Sequence, residues 1–192
     1  MHIRDQVRRG ILSCCMLFAA STVVFSQNPA PAKPPAGTQV APAQVYGPLL
    51  SHLEDWFVSL AEAMPEDKYD FVPATTMGEY KGVSTFAEQV KHVAEANAFY
   101  FHDPSKPAPD RASFEKLKTK AEIVQALKDS FAAGHAYIDS MTPENAFVAL
   151  PDGSTRAGNV ARGTSHFMDH YGQLVEYLRM NGIVPPASRG GK

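Results

Sequence analysis

Apolar residues recur at helical spacing in four stretches of the chain, and strand-like alternation is almost absent. The first stretch runs from about Pro48 to Met64, with Leu49, Leu53, Trp56 and Leu60 on one face. Pro48 suits a first helical turn, where its missing N–H costs nothing. The second begins at Thr85, whose pairing with Glu88 is a capping box, and lines one face with Phe86, Val90, Val93, Asn97 and Phe101. "HDPSKPAPD" ends it. The third opens on the capping pair Thr119 and Glu122, carries Ile123, Leu127, Phe131, Ala132 and Ile138, and stops near Met141. "TPENAFVALPDGST" reads as a loop with a turn at Asp152-Gly153. The fourth runs from about Arg156 to Met180, closed by Asn181-Gly182 and then Pro185-Pro186. Four amphipathic helices without strands predict an all-α four-helix bundle.

The flanks are of another kind. Arg4, Arg8 and Arg9 precede an uncharged, mostly apolar run, 11–25, and Val24 and Ser26 are small residues placed for cleavage after Ser26. That is the layout of an export signal over 1–26, and the run is short of the ~20 apolar residues that span a bilayer. Residues 27–43 are rich in Pro and Ala with no apolar period, which predicts an extended tether. The domain is then 44–187, with a flexible tail at 188–192. Export predicts a periplasmic or extracellular protein with no membrane span once the signal is gone.

Composition narrows the chemistry. The formal charge is −2 and no dense basic run occurs, so nothing points to nucleic acid. Both cysteines, Cys14 and Cys15, lie in the export segment. The domain therefore offers no disulfide, no thiolate nucleophile and no Cys-ligated zinc.

Histidine is the residue type that stands out. His166 and His170 are four apart in the fourth helix, so their rings share a face one turn apart and can reach one ion. Such a pair is also compatible with plain packing. Two ligands rarely suffice, and His92, in the second helix, is the best third candidate if those helices pack side by side. His52 reads as a core-edge residue beside Trp56, and His102 and His135 as solvated or helix-end residues. Gln173, seven residues after His166, and Glu95, three after His92, are placed to support the imidazoles from behind. Gly172 reads as a point of close helix approach, and Tyr171 and Tyr177 as core or rim.

"HVAEANAFYF" and, further on, "HFMDHYGQLVEYLRMNGIVPPAS" resemble the DinB/YfiT-like family of bacterial metal-binding four-helix bundles. "EDKYDFVPATTMGEYKGVSTFAEQVKHVAEAN" is similar to that family's first loop and second helix. The resemblance covers about 48–187. It implies up-down-down-up topology, a homodimer in many relatives, and one divalent metal held by His92, His166 and His170. Three nitrogen ligands leave one or two positions open for water or substrate. They suit zinc or nickel best, with iron or manganese also compatible.

The resemblance implies either a metal-dependent hydrolase or a transferase that activates a thiol, acting on a small molecule the sequence does not identify. Export departs from the thiol chemistry, because such thiols are mainly cytosolic. The alternative is a non-catalytic helical module that binds a metal or ligand.

Overall fold

A computed structural model describes residues 33–190. The expected export segment 1–26, the expected tether through residue 32 and the last two residues lie outside the described residues. The chain divides into two units, Met1–Ala36 and Gly37–Lys192; the helices among the described residues belong to the second.

Among the described residues five α-helices follow one another: α1 Pro42–Ala63, α2 Phe86–Tyr100, α3 Arg111–Glu115, α4 Lys120–Asp139 and α5 Arg156–Met180. Single 3-10 turns occur at Glu66–Lys68, Thr75–Met77 and Pro186–Ser188. Among the described residues there is no strand, only an isolated bridge between Ala149 and Thr155 that closes the Asp152-Gly153 turn. No described helix is long and apolar enough to cross a membrane.

The capping pairs act as the sequence predicts. Thr85 Oγ1 accepts from the Glu88 amide at 3.1 Å while Glu88 accepts from the Thr85 amide at 2.8 Å. Thr119 and Glu122 repeat the exchange at the head of α4. Each box satisfies backbone donors that a helix start leaves open. At the far end of α5, Gly182 takes φ 74° and the Ile183 amide bonds back to the Leu178 carbonyl at 3.0 Å.

α1 differs from expectation in two ways. It starts at Pro42, so it absorbs the end of the expected tether and leaves Pro48 inside the helix. Pro48 is exposed, so the carbonyl it leaves unbonded can meet solvent. The buried face is Leu50, Leu53, Phe57, Leu60 and Ala61, while Leu49 is 44 % exposed and Trp56 is half-buried. α1 is thus turned by about a residue, and Phe57 is the side chain that enters the core. In α4, Ala132 is exposed and Gly134 and Tyr137 take the buried positions. α3, a short helix outside the four periodic stretches, is capped by Asp110 and tied to α2 by Arg111, which bonds Glu95 at 2.8 Å and lies over the Phe99 ring.

α1 and α2 each pack against both α4 and α5, whereas α1 with α2 and α4 with α5 make no comparable contact. Phe57, Phe131 and Phe167 join α1, α4 and α5, with ring centroids 5.3 to 6.3 Å apart. Phe101, at the end of α2, is held between glycines: a Cβ on Gly134 or on Gly163 would come within 3.0 Å of its ring. Gly172, by contrast, is exposed with nothing within 4 Å of the position a Cβ would take, so it is not the point of close approach. Lys120 closes the end of α1 by donating to the carbonyls of Glu62 and Met64 at 2.7 and 2.8 Å.

Gly163→Val would drive two methyl groups into Phe101 and Tyr100 and is expected to destabilise the fold by about 1–3 kcal/mol. Gly172→Val should change stability far less. Urea unfolding of the two variants compares them, and equal losses would contradict the packing described.

Candidate metal centre

The site is a product of how α2 and α5 are phased. On α2 the cap at Thr85 and the burial of Val90, Val93 and Asn97 turn His92 to the helix edge that meets α5. On α5 the burial of Phe167 and Leu174 leaves His166 and His170 half-buried on adjacent turns.

The three rings converge. His92 Nε2 stands 3.1 Å from His166 Nε2. The ring centroids are 5.0 Å apart for His92 and His166, 5.1 Å for His92 and His170, and 4.8 Å for His166 and His170. One nitrogen from each ring lies within 4.8 Å of the others. Ligands 2.0–2.1 Å from a tetrahedral ion are about 3.3 Å from one another. The His92–His166 pair already has that spacing. Three histidines close together can therefore hold a metal ion, and the donor set fits a borderline cation such as zinc.

The rings differ in how they are held. His170 Nδ1 is 3.1 Å from Gln89 Oε1. With the amide oxygen as acceptor, Nδ1 carries the proton and Nε2 keeps its lone pair for the centre. Gln89 is buried on α2, three residues before His92, and Tyr177, which donates to the Ser84 carbonyl at 3.1 Å, packs beside it. His166 Nδ1 is buried without a hydrogen-bond partner among the described residues, and the Tyr100 ring lies 5.5 Å from its ring. Burial, then the neighbouring rings, pushes the His170 pKa down to about 4. The same two causes lower that of His166. Both are neutral at pH 7, the form that donates a lone pair to a metal.

A cleft of about 530 Å³ opens beside the centre, with His170 and Gln89 at one end and Tyr80, Val83, Tyr177 and Met180 among its walls.

The remaining candidates have other partners. Gln173 donates to Asp169 at 2.9 Å rather than to an imidazole, because the i−4 carboxylate is nearer along its own helix. Glu95 accepts from Arg111 of α3. The side chain that does support a histidine is Gln89; its position one turn from His92 on the same face was the available signal. His52 lies tilted against Trp56 with ring centroids 4.4 Å apart, His135 bonds Glu54 across α1 and α4 at 2.7 Å, and His102 lines a separate cavity. None of these three joins the centre.

A family model described as the DinB superfamily matches residues 49–174, a span that contains all three clustered histidines. No curated protein matches the chain.

The lowered histidine pKa values set an acid limit on the metal-free fold. From the ordinary value of 6.5 down to about 4, the unfolded chain takes up protons that folded His170 does not. Stability should therefore fall as pH drops through that window. Thermal unfolding of metal-free protein at steps of pH should show this, with a shallower fall for His170→Asn. An identical pH profile for the variant would contradict it.

Proposed function

The chain belongs to the DinB superfamily, and from that premise we propose that His92, His166 and His170 bind one divalent metal ion for a metal-dependent hydrolase or transferase reaction on a small molecule. The observation that carries this is the convergence of three rings from two helices, with two Nε2 atoms already at ligand spacing. Zinc and nickel suit three neutral imidazoles best; iron and manganese are also compatible.

A bound ion would supply Lewis acidity to a substrate donor atom. The chain's own residues do the rest. Gln89 sets the His170 tautomer and fixes its ring. Tyr177 ties the loop before α2 to α5 through the Ser84 carbonyl, which holds one wall of the cleft in place. Tyr80, Val83 and Met180 offer apolar surface that displaces water from a bound molecule.

One observation favours a second reading, a non-catalytic metal- or ligand-binding module. Glu176, the carboxylate among the residues that line the cleft, sits at its rim with its side chain 63 % exposed, and no other lining residue is an evident general base. We also propose export, supported by the pattern of residues 1–26. Export favours hydrolysis over a thiol transfer that needs a cytosolic co-substrate.

Titration of metal-stripped protein with zinc and with nickel should give one site per chain, abolished in the His166→Ala, His170→Ala double variant. Unchanged affinity in that variant would sink the site. Gln89→Leu keeps the ligands but removes the acceptor for His170 Nδ1, and should weaken zinc about 10–100-fold. Turnover of an activated ester by the loaded protein, lost in the double variant, separates the enzyme from the module.

A further inference from the structure

Resting on the metal reading above, the geometry points to the kind of molecule the cleft selects: one with an apolar body that ends, away from the metal, in a neutral or cationic group, with Glu176 rejecting an anion at that end. Three observations carry this.

The cleft has direction. His170 and Gln89 mark one end and Met180 the other, so it runs along α5. From His170 to Glu176 is six residues, about 9 Å of helix rise. A ligand anchored at the histidines by one end brings an atom some six bonds away to the level of Glu176.

The walls between are mostly apolar or aromatic, from Val83, Tyr80, Tyr177 and Met180, with Ser84 and Gln173 as uncharged polar members, and suit an aliphatic or aromatic chain. Among the described residues no lysine or arginine lines the cleft, so none of them holds a distal carboxylate or phosphate there.

The charge that does line it is negative. Arg179 Nε stands 3.9 Å from Glu176 Oε1, with the two side chains 49 % and 63 % exposed. The pair is long and solvated, and Arg179 is not among the residues that line the cleft, so a group at that end of the cleft meets the carboxylate before the guanidinium. Asp169, one residue before His170, adds a second negative charge on the same helix and spends one oxygen on Gln173. The metal can still accept an anionic head group at the near end; Glu176 reads the far end only.

The test uses the full chain loaded with Co²⁺, whose visible bands report on the metal's ligands. Two hydroxamates of equal length serve as probes: 6-aminohexanohydroxamic acid, which ends in an ammonium, and adipic monohydroxamic acid, which ends in a carboxylate. The ammonium probe should bind about fivefold more tightly at low salt, the scale of a charge contact in a watery cleft. The preference should shrink as salt rises. Glu176→Gln should largely remove it and Glu176→Lys should reverse it.

Equal or tighter binding of the carboxylate probe to the unmodified protein would overturn the inference. So would a preference that survives Glu176→Lys, or the failure of both probes to shift the cobalt bands. Absence of cobalt bands before any probe is added would instead defeat the metal reading, and this inference with it.

Discussion

The packing of α2 against α5 is the contact on which the centre depends. No single helix carries enough histidines: α5 brings two on adjacent turns and α2 brings the third. Their meeting requires the two helices to be correctly rotated and correctly levelled. Rotation is set by burial of Val90, Val93 and Asn97 on one side and Phe167 and Leu174 on the other. Level is set in part by Phe101, which sits in the gap left by Gly134 and Gly163 and stops α2 from sliding along its neighbours. Gln89 then crosses the same interface to hold His170. Packing that forms the core thus also sets the spacing of the donors.

That placement has an electrostatic consequence. His166 and His170, brought beside one another while half removed from water, disfavour protonation, by desolvation and by the repulsion of the neighbouring rings. Their neutral lone pairs share the cluster with the His92 ring, and the carboxylates of Asp169 and Glu176 lie on the same helix. A cation held there would relieve the repulsion and use the lone pairs at once. The buried Nδ1 of His166 has no acceptor among the described residues, so one ring is held by packing alone while another is held by a hydrogen bond.

Much of this could be read from residues. The capping pairs marked the starts of α2 and α4 because they are local chemistry, complete within four residues. The histidine spacing marked the centre because a helix converts a four-residue interval into a shared face. What could not be read was decided between elements. Leu49, Leu53, Trp56 and Leu60 satisfy the helical period as well as Leu50, Leu53, Phe57 and Leu60 do; only the fit of Phe57 against Phe131 and Phe167 chooses the second set. Glu95 is spaced along α2 to support His92, but α3, which lies outside the four periodic stretches, supplies the arginine that claims it. Gln173 and Gln89 are both one or two turns from a histidine in sequence. Which of them reaches a ring depends on the interface between α2 and α5.

The order of packing around the bundle bears on how the chain is made. Helices next to each other in sequence, α1 with α2 and α4 with α5, are not the ones that share large contacts. A growing polypeptide that has emerged only as far as α2 therefore has no mate for either apolar face. Its hydrophobic stripes stay open until α4 appears, and the His92 side of α2 waits longer still, for α5. The contacts between the helices are therefore made late, by encounters between segments that are distant in sequence. The half-made chain is the form most exposed to aggregation and most in need of chaperone cover.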